Sequence, residues 1–233
     1  MKIFAISDLH LSFGSNKPMD IFGEQWKDYL FEIKKDWLNK VSSEDIVLIA
    51  GDISWAMKLE DTNLDFEFLS SLPGNIFMIK GNHDYWWSTI SKVRKILPKN
   101  ITAVQNDAFK VGDYIICGTR GWVVPETINS GSEEDKKIYL REQIRLELTL
   151  KSAKSLQKNG EKIIAMMHYP PTNSAWDKSA FSDLFENYGV SAVIYGHLHG
   201  KYVKRELVKN FNGVNYYLTS CDQVNNNLVE INI

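Results

Sequence analysis

The sequence predicts a layered α/β protein. Short β-branched or aliphatic runs recur along it, each followed by a turn and a helix-like segment. The polar residues of chemical interest fall just after those runs. Residues 2–7 read as a first strand, and Trp26, Leu30, Ile33 and Trp37 then recur at helical spacing, which predicts an amphipathic helix over about 24–40. Residues 45–50 and 75–80 read as further strands, followed by helices around 61–71 and 87–97. In the second half, Ala108–Val111 and Tyr114–Gly118 flank Gly112-Asp113, a strong hairpin signal, and Asn212-Gly213 marks another. The longest helix is expected over 133–158: Glu133, Glu134 and Asp135 open it, Lys151, Lys154 and Lys158 close it, and Asn159-Gly160 stops it. Strands near 162–167, 191–195, 201–209, 214–219 and 227–232 complete the reading.

The chain has 233 residues, 44% of them hydrophobic and 24% charged, which suits one domain over 1–233 with a sizeable core. A net charge of −2 supplies no global basic field, so the balance argues against tight, sequence-independent nucleic-acid binding. Met1-Lys2 lead straight into an apolar run with no signal-like region, and no stretch approaches the ~18 apolar residues of a membrane span. The two cysteines, Cys117 and Cys221, sit in or beside strand-like segments and read as reduced thiols. Together these point to a cytoplasmic protein without a membrane partner.

Chemistry concentrates at the strand ends. Asp8 and His10 follow the first strand, Gly51-Asp52 the second and Gly81-Asn82-His83-Asp84 the third; later strands end in His168 and in Gly196-His197-Leu198-His199. Open α/β sheets bind ligands at that carboxyl edge. In an extended segment residues i and i+2 face one way, so Asp8 with His10, and His197 with His199, are expected to act as chelating pairs. All five histidines of the chain lie in these segments. Carboxylate, imidazole and amide ligands without thiolate suit Mn²⁺ or Fe, with Zn²⁺ also possible, and exceed what one tetrahedral ion needs. Two divalent ions ~3.5–4 Å apart would clamp a phosphoryl oxygen and supply hydroxide near neutral pH.

This ordered series, Asp-x-His, Gly-Asp, Gly-Asn-His-Asp, a lone His and Gly-His-x-His between positions 8 and 199, resembles the calcineurin-like metallophosphoesterases. The resemblance implies a four-layer α/β/β/α sandwich of two packed mixed sheets without a cap domain, carrying a dinuclear site. It implies that Asp8, His10, Asp52 and His199 hold one metal and Asp52, Asn82, His168 and His197 the other, with Asp52 bridging. His83 would act on the phosphoryl or leaving oxygen, with Asp84 orienting its ring. The expected reaction is hydrolysis of a phosphomonoester or phosphodiester by a metal-bridging hydroxide. A nuclease and a non-catalytic phosphate- or nucleotide-binding protein are the alternatives. The chain departs from the family pattern at Trp55, where many members have an acid; Glu60 or Asp61 would have to replace it.

Other residues carry weaker signals. Arg120 is a candidate phosphate contact, and a structural salt bridge serves it equally well. Trp86, Trp122 and Trp176 are candidates for a platform on which an aromatic substrate stacks, against the plainer reading of packing beneath loops. The stretches about 119–134 and 169–180 look irregular and are expected to set specificity.

Overall fold

In the computed structural model, which describes residues 1–15, 17–127 and 130–233, two sheets pack face to face between helices. The first contains β1 (Ile3–Ile6), β2 (Ile46–Ile49), β3 (Asn75–Met78) and β4 (Ile101–Ala103), all parallel, with β11 (Val229–Glu230) antiparallel at the edge beside β1. The second runs β5 (Asp107–Val111), β6 (Tyr114–Thr119), β7 (Lys162–Met167), β8 (Val190–Tyr195), β10 (Val214–Leu218) and β9 (Val208–Phe211). Its four central strands are parallel, and its two edges are antiparallel hairpin strands.

Alternation along each strand assigns its side chains to one of two cores. Ile3, Ala5, Ile46, Leu48, Phe77, Ile116, Ile164, Met166 and Ile194 meet between the sheets. Their neighbours Phe4, Ile6, Val47, Ile49, Ile76 and Met78 turn outward onto α1 (Tyr29–Lys40), α2 (Asn63–Ser70) and α3 (Ile90–Ile96). On the far side, Ile115, Ile163, Ala165, Val193 and Tyr216 meet α4 (Glu133–Leu156) and α5 (Ala180–Asn187). Strands apolar on both faces can only be central, which explains the unbroken runs such as Ile46–Ile49. The layer order is therefore α/β/β/α, as expected.

Several boundaries differ from expectation. The helix expected over 24–40 starts at Tyr29, because Asp28 takes a left-handed conformation (φ 53°) and Trp26 sits in a separate 3-10 turn. The strand expected over 201–209 starts at Val208, since the Asn212-Gly213 turn pairs only Val208–Phe211 with Val214–Tyr217. Residues 201–207 form a loop instead. The edge strand β4 and helix α5 were not anticipated. A signal for α5 existed: Ser179 and Ser182 form a capping box ahead of Phe181 and Phe185, which pack into the core. The irregular stretch 119–134 includes residues 128 and 129, which lie outside the described residues, and α4 closes it at a Ser132–Asp135 capping box. No helix among the described residues is long and apolar enough to cross a membrane.

The sheets are tied together where the loops gather. Ser7 N–H donates to Thr219 O at 2.8 Å and Cys221 N–H to Ser7 O at 3.1 Å, so the end of β1 is stitched to the end of β10. The carboxyl ends of β1, β2, β3, β7 and β8 thus open onto one rim.

Candidate metal centre

Asp8, His10, Asp52, Asn82, His168, His197 and His199 meet at this rim although up to 191 positions separate them in sequence. Two groupings of ligand atoms lie within 4.8 Å of one another: Asp8 with His10 and His199, and Asp8 with Asp52 and His168. Asp52 Oδ2 stands between them, 3.9 Å from His10 Nε2 and 3.5 Å from His168 Nε2. Asn82 Oδ1 lies 2.7 Å from His168 Nε2 and 2.8 Å from His197 Nδ1, so an amide oxygen and two imidazole nitrogens face a common point.

The residues converge by a different route from the one expected. β1 ends at Ile6 and β8 at Tyr195, so neither Asp8/His10 nor His197/His199 lies on an extended strand. Asp8 (φ 59°), His10 (46°), Asp52 (52°) and His197 (71°) instead adopt left-handed backbone, at a cost of ~1–3 kcal/mol each. Loop hydrogen bonds hold these conformations: Asp8 N–H to Gly51 O at 2.9 Å, His10 N–H to Asp52 O at 3.0 Å, and Tyr29 Oη to Leu9 O at 2.9 Å. Gly81 and Gly196 permit the close approach, because a Cβ at the first would overlap Asp52 and at the second Asp8 and Ser7.

The imidazoles are oriented for a cation. His168 Nδ1 lies 2.9 Å from Ala50 O, so its proton sits there and Nε2 keeps a lone pair toward Asn82 and Asp52. His199 Nδ1 lies 2.8 Å from Asp222 Oδ1, while its Nε2 is 3.0 Å from Asp8 Oδ1 without being aligned to donate to it. Asp222 also accepts from Gly200 N–H at 2.8 Å. Nothing in the motif series pointed to Asp222; the only signal was an acid just after a strand on the same sheet edge. Asp222→Ala is expected to weaken metal affinity about 10–100-fold with the fold intact, read by metal titration of the variant.

Electrostatics agree with a cation site. Burial pushes His10 down to about 3 and His168 down to about 4, so both rings are neutral at pH 7. Burial, then the charges of Asp8 and Asp84, pushes the Asp52 carboxyl up to about 9. Burial alone would also raise Asp8, but His199, followed by His168 and His10, holds it well below the carboxylate range. Against burial, Asp8 and Asp222 push His199 up to about 10. These carboxylates cannot all ionise together in so enclosed a space, and divalent charge would relieve them. His10 Nδ1 and His83 Nδ1 are buried and have no hydrogen-bond partner among the described residues.

Asp84 departs from its expected role. Rather than orienting His83, its fully buried carboxylate accepts from Gly81 N–H (2.7 Å), Ile53 N–H (2.9 Å), Ser54 N–H (3.1 Å) and Trp86 Nε1–H (3.0 Å). Its Oδ1 accepts three of these donors and its Oδ2 one, none of them from the His83 ring, and the carboxylate ties the Asp52 loop to the Asn82 loop. With Asp65, which accepts from Ser54 Oγ–H and Phe13 N–H, it also supplies the acid support that Trp55 cannot. Glu60 and Asp61 are exposed and do not replace it. Trp55 lies against the site histidines, stacked on His10 (4.8 Å, 19°) and tilted on His83 (4.6 Å), with Lys17 Nζ 4.6 Å above its ring.

The three candidate tryptophans do not gather on one face, as the plainer packing reading has it. Trp86 is 2% exposed in the core, and Trp176 packs on Tyr216 and Arg205. Trp122 leans on Tyr169 at 5.1 Å and lies under the Arg120 guanidinium at 4.8 Å. The Arg120 side chain turns toward buried Glu142 (3.8 Å), the salt-bridge role that the sequence left open, while its carbonyl accepts from His168 N–H at 3.0 Å. Tyr169, 4.4 Å from His197, is the aromatic ring nearest that side of the site.

A family model described as calcineurin-like phosphoesterase matches residues 1–201. No curated protein sequence matches the chain. Among solved structures, TT1561 of Thermus thermophilus is similar with a TM-score of 0.56 and 13% identity, over 99% of this chain and 97% of that one. A protein of unknown function from Aquifex aeolicus, AQ665, is similar with a TM-score of 0.52 and 12% identity, over 98% and 95%. At such identities the likeness carries the fold alone.

Proposed function

Because the chain belongs to the calcineurin-like phosphoesterase family, we propose that it hydrolyses a phosphomonoester or phosphodiester using two divalent metal ions. The observation that carries this reading is the position of Asp52 Oδ2 between His10 Nε2 and His168 Nε2, with Asp8 common to both ligand groupings. Asp8, His10, Asp52 and His199 would hold one ion, and Asp52, Asn82, His168 and His197 the other. When bound, the ions would neutralise phosphoryl charge and supply a water-derived nucleophile at neutral pH.

The chain's own residues prepare the rest. The buried neutral imidazoles and the Asp84 and Asp222 carboxylates fix the ligand directions before metal arrives, so little reorganisation is left to binding. His83 N–H donates to Asp52 Oδ1 at 2.7 Å, while its ring keeps a nitrogen unpartnered by protein. That ring is the group available to donate a proton to a phosphoryl or leaving oxygen. Oxygen and imidazole donors without thiolate favour Mn²⁺ or Fe, with Zn²⁺ next. Two buried free thiols in separate cores favour a reducing compartment such as the cytoplasm.

The test is metal analysis of the purified protein beside turnover of an aryl phosphomonoester and an aryl phosphodiester. Chelation is expected to abolish turnover, and Mn²⁺ to restore it better than Ca²⁺, which prefers all-oxygen cages. Full activity after verified metal removal would sink the reading.

A further inference from the structure

A cavity of about 380 Å³ opens beside the metal centre, with His197 and Tyr169 at its shared wall. Val123, Val124, Pro170, Leu198 and Val203 give the lining its apolar part. These residues come from the loop after β6, the loop after β7 and the loop from β8 to β9, so three irregular segments with no part in the sheets line one cavity with an apolar wall. Glu126 on the first loop accepts from Ser174 N–H (3.2 Å) and Ser174 Oγ–H (2.6 Å) on the second, which fixes the cavity's width.

The charged groups around it offer little to an anion. Arg205 donates to Asn173 O (2.8 Å), Tyr195 Oη (3.1 Å) and Thr172 Oγ1, and its guanidinium lies 4.0 Å from the Trp176 ring centre. Its fork is therefore structural. Lys204 is the other basic residue of the described lining, and it is exposed. A polyanion, or a second phosphoryl group, would need several free cations here. An uncharged group gains from the aliphatic wall and the Tyr169 face, and the volume suits a small-molecule moiety rather than a macromolecular segment.

We infer that this cavity receives the organic group of the phosphate ester and selects an uncharged aromatic or heteroaromatic one, up to about the size of a nucleoside. The inference rests on the phosphoesterase reading of the adjoining site. It assigns specificity to Val123, Leu198 and Val203 together with Tyr169, in place of the tryptophans.

The test titrates Mn²⁺-loaded protein calorimetrically with benzylphosphonate and with methylphosphonate, which share a headgroup and resist hydrolysis. Benzylphosphonate is expected to bind about 10–100-fold more tightly, the gain from burying one aromatic ring. Val123 is 51% exposed, so Val123→Trp fills the cavity mouth without disturbing a core, and the ratio is expected to fall toward one. Val203→Asp, which puts a charge into the apolar wall, is expected to lower the ratio likewise. A wild-type ratio near one, no binding of either phosphonate, or a ratio untouched by both substitutions overturns the inference. Chelator-sensitive turnover of an aryl phosphate, measured in parallel, tests the phosphoesterase reading separately.

Discussion

Asp52→Asn is expected to strip the protein of both metal ions and abolish turnover while leaving it folded. Its Oδ1 accepts the His83 N–H at 2.7 Å, a contact an asparagine oxygen can keep. The other oxygen, between His10 and His168, becomes an amide NH₂ that cannot ligate a cation. Folding should survive because burial, with Asp8 and Asp84, pushes the Asp52 carboxyl up to about 9. Below that pH the fold accommodates a neutral group at this position, and asparagine is one of the same shape. Elemental analysis with circular dichroism checks both halves. Two ions retained at full stoichiometry would refute the bridging assignment, and loss of only one would confine Asp52 to a single ion.

His83→Ala should do the opposite: metal content close to wild type, with the rate lower by about 10²–10⁴-fold, the range for losing a positioned acid. The hydrogen bond from residue 83 to Asp52 comes from the backbone and persists in alanine. The ring has aromatic contacts to Trp55 (4.6 Å), His10 (5.6 Å) and Tyr85 (6.2 Å), and its buried Nδ1 has no hydrogen-bond partner among the described residues. Its removal therefore opens space beside the ligands without unseating them. An undiminished rate would sink the role given to His83 and leave the metal assignments standing.

Much of the candidate site was legible because its residues are marked twice, by residue type and by position after a strand. Asp8, Asp52, Asn82, His168 and His197 lie together in space, and a Cβ on the glycine before Asn82 or before His197 would overlap Asp52 or Asp8. Apart from the backbone route, the parts that were missed or misread depend on what a side chain meets. Asp84 stands one residue from His83, yet its four donors come from Gly81, Ile53, Ser54 and Trp86, and only the fold brings residues 53, 54 and 84 together. Asp222 follows no motif, and it matters because β10 ends beside β1 and delivers it to His199. Trp86 and Trp122 look alike in sequence, but one is in the core and the other lies on Tyr169.

From the sequence alone came the layered α/β class, the strand-end placement of the ligands and the chemistry those donor types favour. Each is a local property: apolar period, the residue after a strand, the electronic character of a side chain. Only the tertiary structure decided which backbone conformations carry the ligands, which acid supports the Asp52 loop and where an apolar cavity adjoins the metal centre. Those depend on distances between segments far apart in the chain, and they arise when two sheets pack and bring their carboxyl ends onto one rim. Left-handed backbone at Asp8, His10, Asp52 and His197 shows the difference most directly. Asp and His enter it more readily than most residues do, but that preference is weak, and the hydrogen bonds between neighbouring strand ends hold it in place.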